Sequence, residues 1–81
     1  MSRAARLTGR EQQVLREIAR GYSNREIAAR LNISVRTTEV HRYHIMTKLD
    51  TKNVAQLLRA ALRRRLLTMA DLLPPARGRK R

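Results

Sequence analysis

At 81 residues the chain is one domain, and a domain this small buries only about 60% of the surface its unfolded chain exposes. The absence of Cys excludes a disulfide framework and a thiolate metal site, and the absence of Phe and Trp leaves Leu, Ile, Val and Ala to fill a thin interior. Nineteen Lys and Arg against six Asp and Glu give a formal net charge of +13, a field that draws polyanions and opposes self-association, so nucleic acid is the leading partner and an anionic membrane surface the second.

Residues 1–6 are small and basic without periodicity and are expected to be mobile. The start, MSRAARLTGR, has no apolar h-region, and no run approaches the roughly 20 apolar residues of a membrane span, so a cytoplasmic protein with no membrane partner is expected. Order begins at Leu7. Thr8 followed three positions later by Glu11 has the spacing of a capping box, in which each residue's side chain takes the other's backbone N–H. Val14, Leu15, Ile18 and Ala19 recur with helical spacing until Gly21 supplies a left-handed stop, which predicts a helix over about 9–20. Ser23 and Glu26 repeat the capping-box spacing, and Ile27, Ala28 and Leu31 give a short apolar face to a second helix, about 24–31. Asn32, which tolerates the left-handed conformation, and Ile33 form a tight connection to Ser34, the next N-cap. Two helices joined so closely meet at a steep angle, the geometry of a helix-turn-helix, with Ile33 buried between them.

The third helix, about 35–49, is two-faced. At 100° per residue Val35, Thr38, Ile45 and Leu49 share one side with His41 at its edge, which predicts the core face. Arg36, Thr37, Glu39, Val40, Tyr43, His44 and Thr47 share the other. A merely solvated face carries Lys and Glu at four-residue spacing, whereas this mixture of donors, acceptors and apolar groups suits contact with DNA. His41 and His44 stand three apart, but no third ligand accompanies them, so no metal or other cofactor is expected. No nucleophile has a base beside it, and no enzyme activity is expected either.

Asn53 with Gln56 again has capping spacing and opens a fourth helix, about 54–66. Val54, Leu57 and Ala61 cluster on one side, while Ala55, Leu58, Leu62 and Leu66 form an adjoining stripe. That stripe reads as a subunit interface or as a second surface packed within the monomer. Thr68 and Asp71 start one more turn through Leu72 and Leu73, ended by Pro74 and Pro75, and Arg77, Arg79, Lys80 and Arg81 form a disordered basic tail. The fold expected is therefore all-α, a compact four-helix domain over 7–67 containing a helix-turn-helix, with a short turn and tail over 68–81.

These residues resemble the LuxR-type helix-turn-helix, the DNA-binding domain of GerE- and FixJ-like bacterial transcriptional regulators. LTGRE at 7–11, VL at 14–15, GYSNREIAARLNIS at 21–34, RTTEVHRYHIMTKL at 36–49 and QLLRAAL at 56–62 carry the resemblance. It implies that the third helix enters the major groove and that the fourth pairs two subunits. By position, base reading falls on Glu39, Val40 and Tyr43, and backbone contact on Thr8, Asn24, Ser34, Arg36, Thr37 and Lys48, to which the outer-face position adds His44. The function implied is sequence-specific binding of double-stranded DNA and regulation of transcription, as a homodimer on inverted repeats. The alternative is a module that docks RNA polymerase or another regulator with weak DNA affinity. Thr38 stands where the family usually has Val, and Asp50 and Thr51 replace the usual Gly and Val, so a looser packing and a different turn are expected there. With no receiver or ligand-binding segment in the sequence, the readings are an effector domain or a small stand-alone regulator, the latter favoured by Met1 and the basic tail.

Overall fold

Side-chain caps set the start of every helix in a computed structural model that describes residues 6–72. The elements are α1 (Gly9–Ala19), α2 (Asn24–Leu31), α3 (Val35–Lys48), α4 (Val54–Arg63) and a closing 3-10 turn (Met69–Leu72). Thr8 Oγ1 accepts from the Glu11 N–H at 3.1 Å while Glu11 Oε1 accepts from the Thr8 N–H at 2.9 Å, and Ser23 and Glu26 repeat the pair at 3.2 and 2.8 Å. Each such cap is worth about 1 kcal/mol. At α4 the reciprocal bond falls one residue early: Asn53 takes the Gln56 N–H, but Gln56 takes the N–H of Lys52.

The stops are left-handed residues. Gly21 has φ +88°, Asn32 +58° and Asp50 +56°, so Asp50 adopts the conformation that Gly takes freely and the chain still turns at that point into α4. The Thr51 N–H closes this turn on the Met46 carbonyl at 2.9 Å. The expected end of the fourth helix at 66 is corrected to Arg63. Arg65 swings to φ +62°, which turns Leu67 into the core and presents the Leu66 carbonyl to the Gln12 side-chain amide at 2.7 Å.

α3 packs chiefly on α1 and α2, and the 3-10 turn rests on α1. Val14, Leu15, Ile27, Ile45, Leu57 and Ala61 are fully enclosed, with Leu49, Ala60 and Leu67 beside them. Burial of a Leu or Ile of this kind contributes about 1.5–3 kcal/mol. Thr38 is also fully buried, and its hydroxyl donates to the Ser34 carbonyl at 3.0 Å, so the core accepts this polar group with its bond made. Two positions assigned to the core face by helical spacing are corrected. Val35 is 38% exposed and Val54 37%. Each is the first residue of its helix, where the Cβ leans back toward the N-terminus and away from the packed turns. Ile33, expected to be buried, is half-buried.

No helix among the described residues is long and apolar enough to cross a membrane. Residues 1–5, in the expected mobile start, and 73–81, which hold Pro74, Pro75 and the basic tail, lie outside the described residues.

Candidate nucleic-acid interface

With Thr38, Ile45 and Leu49 anchored in the core, the opposite side of α3 must face outward. Arg36, Glu39, Val40, Tyr43 and His44 line a shallow concavity there of about 370 Å³. Tyr43 is 69% exposed, and its ring stands 5.9 Å from that of His44 at a tilt of 57°. Arg36 and Glu39 are exposed and make no ion pair among the described residues. The three residues expected to read bases are thus brought together on one open face.

The expected backbone contacts flank it. At the start of α3 the Ser34 hydroxyl accepts from the Thr37 N–H and donates to the Thr37 hydroxyl oxygen, both at 2.9 Å. Ser34 therefore spends its proton on Thr37, and the exposed Thr37 hydroxyl keeps its own proton for an external acceptor. The exposed Thr8 hydroxyl accepts a backbone N–H in its capping box and likewise keeps its proton. Asn24 opens α2 half-buried, its Oδ1 enclosed without a hydrogen-bond partner among the described residues. Beside it lies Arg42, half-buried and lining the same concavity of about 340 Å³ with Gly21, Ser23 and Val54. Sequence reasoning did not single out Arg42. Its place one turn after Thr38, on the edge between core face and outer face, was the available signal.

Lys48 is differently placed from the other expected contacts. Its ammonium donates to Glu11 Oε1 at 2.6 Å, and His44 Nδ1 lies 3.9 Å from Glu11 Oε2. Glu11 is only 4% exposed, so one enclosed carboxylate caps α1 and also ties the foot of that helix to the His44/Lys48 edge of α3. Burial pushes its carboxyl up, but the hydrogen bonds from Lys48 and the Thr8 backbone and the charges of Lys48 and His44 outweigh this and hold it below the ordinary value. A carboxyl depressed in the fold adds stability that is complete above its unfolded value and is lost as pH falls through the folded one. Urea midpoints at neutral pH and below about pH 4 are therefore expected to fall further for the wild type than for Glu11→Gln, which keeps a capping acceptor but cannot titrate. An equal fall would show that Glu11 does not contribute to the acid sensitivity.

A second buried carboxylate braces the helix-turn-helix from behind. Glu17 of α1 receives Arg20 at 3.5 Å and, more closely, Arg30 of α2, whose guanidinium lies 4.2 Å from the centre of the Tyr22 ring. This cluster joins α1, α2 and the turn between them.

The stripe expected as a subunit interface is divided. Ala55 is exposed, Leu58 and Leu62 are half-buried against the protein's own core, and Leu66 packs there from beyond the end of α4. Arg59 and Arg63 border it, lining a concavity of about 220 Å³ with Asp50, Thr51 and Gln56.

The family model for bacterial regulatory proteins of the luxR family matches residues 5–61. Over 61 residues, 75% of the chain, the sequence is 49% identical to the oxygen regulatory protein NreC of Staphylococcus haemolyticus, and it matches the NreC of Staphylococcus aureus at the same identity and share. The chain spans 28% of the length of each of these relatives. No solved structure matches the chain.

Proposed function

The chain belongs to the luxR family of bacterial regulatory proteins and is a DNA-binding transcription-regulator domain, and from that premise we propose that two copies bind an inverted repeat, each with α3 in the major groove. The observation that carries this reading is the open face of Arg36, Glu39, Val40 and Tyr43 on a chain of net charge +13. Phosphate neutralisation and release of counter-ions supply most of the affinity. Glu39 accepts from a cytosine amine, Val40 packs on a thymine methyl and Tyr43 bonds a base edge. A carboxylate on a strongly basic face is repelled by phosphates, which favours base reading over backbone contact for Glu39. Thr8, Asn24, Arg36, Thr37 and His44 set the register on the backbone with their side chains and Ser34 with its main-chain N–H, and Lys48 stands at the edge of this set. The protein works in the bacterial cytoplasm, on the nucleoid.

The half-exposed side of α4 pairs the subunits and places two recognition helices in successive major grooves about 34 Å apart. Selection from random-sequence DNA is expected to return two half-sites in inverted order, about 10 base pairs between centres. Ala55→Arg puts a charge on the stripe without entering the core, and binding is then expected to reduce to a single half-site with the fold intact by circular dichroism. Recovery of lone half-sites with the wild-type protein would sink the dimer, and failure to enrich any sequence would sink specific DNA binding itself.

A further inference from the structure

We propose that Glu11 is a positioning residue for the DNA surface: it keeps Lys48 as half of a neutral pair, so that Lys48 meets the phosphate backbone as a hydrogen-bond donor and not as a free positive charge. The inference rests on the DNA-binding reading above and concerns how one edge of that surface works. The Lys48 ammonium has three N–H donors, one of which is held by Glu11 Oε1 at 2.6 Å. The carboxylate cannot release it cheaply. Glu11 is 4% exposed, and separation of the pair would leave a buried charge without a partner in a domain with little stability to spare. The same Oε1 takes the Thr8 N–H, so moving the carboxylate out to follow Lys48 would also undo the cap of α1. The pair therefore persists when a phosphate approaches, and the two remaining N–H donors of Lys48 point away from Glu11 toward any acceptor at the α1/α3 edge.

Charge bookkeeping on DNA separates this arrangement from an ordinary lysine contact. Each phosphate neutralised by a free cation steepens the fall of log K with log salt by about 0.9. A Lys48–Glu11 pair of zero net charge adds little to that slope, whereas Arg36, exposed and without an ion pair among the described residues, adds a full increment.

The test is the salt dependence of binding to a random-sequence 20-base-pair duplex, followed by fluorescence anisotropy. Glu11→Gln/Lys48→Gln, which removes the pair without changing the net charge, is expected to weaken binding and leave the slope unchanged, while Arg36→Gln lowers it by about 0.9. Glu11→Gln retains a capping acceptor and frees the ammonium, so the slope is expected to rise by about 0.9, and the rise disappears in Glu11→Gln/Lys48→Gln. A purely structural role for Glu11 would change affinity or melting temperature and leave the slope where it was, which overturns the assignment. A slope that falls by a full increment in Glu11→Gln/Lys48→Gln overturns it as well, since Lys48 would then already act as a free cation that Glu11 does not offset. A wild-type slope near zero would overturn both this inference and the DNA-binding reading, whereas a steep wild-type slope confines any failure to Glu11.

Discussion

Tyr43→Ala and Glu39→Ala each lower affinity for the selected DNA site by about 5- to 150-fold, the equivalent of 1–3 kcal/mol for a lost base contact. Neither side chain supports the fold. Tyr43 is 69% exposed and Glu39 lies open beside it, so melting temperatures should stay within the scatter expected of surface substitutions. The two variants differ on random-sequence DNA. Tyr43→Ala leaves non-specific binding nearly unchanged, because no charge is altered. Glu39→Ala removes a negative charge from the interface and strengthens it, so its specificity ratio falls more than its affinity does. Anisotropy titrations against the selected and the scrambled duplex measure both. Unaltered protection of the selected site by both variants would turn the reading toward a module that docks another protein.

Ile45→Ala costs about 2–5 kcal/mol, the range for removing a fully enclosed Leu or Ile side chain. Ile45 is fully enclosed in the last turn of α3, a helix that packs on α1 and α2, and no neighbouring Phe or Trp can move in to fill the space. A domain of this length has only about 4–12 kcal/mol in total, so a large fraction of the variant unfolds in mild urea and its melting temperature drops by at least about 10 °C. Val35→Ala on the same helix is the informative contrast. The 38% exposure of Val35 places its loss within about 0.5 kcal/mol. Similar losses for the two would mean that the whole apolar side of α3 is packed, contrary to the geometry described.

These contrasts mark where the sequence is transparent and where it is not. Interactions that span three or four residues are legible from spacing alone: the caps at Thr8/Glu11 and Ser23/Glu26, and the Thr38 hydroxyl bonded one turn back. Left-handed stops at Gly21 and Asn32 follow from what those two residue types tolerate. A helical wheel extends a buried stripe along the whole helix, and so it misplaces Val35 and Val54, the first residues of their helices, which stay more than a third exposed. Nor does residue type announce that Arg65 turns left-handed, so apolar spacing alone carries the fourth helix past Arg63 and sets Leu66 on its stripe. The Glu11–Lys48 pair joins residues 37 apart, and in the sequence Glu11 was already explained as a cap. The wheel isolated the outer face of α3, but the choice of Glu39, Val40 and Tyr43 within it came from family resemblance.

α3 is 14 residues long, and six of them, Val35, Thr37, Thr38, Val40, Ile45 and Thr47, are β-branched. Helices shorter than about 12–15 residues are marginal in water even when Ala-rich, and β-branching lowers the tendency further. The segment is helical because α1 and α2 hold it so. As a free peptide it would lose its shape, and with it the spacing of Glu39, Val40 and Tyr43. Sequence preference is therefore not portable with these 14 residues. If α3 reads DNA as proposed, a chimaera that transplants only this segment inherits the letters of the reading head without the frame that spells them, and a regulator with altered targets has to be built by changing outward side chains on an intact domain.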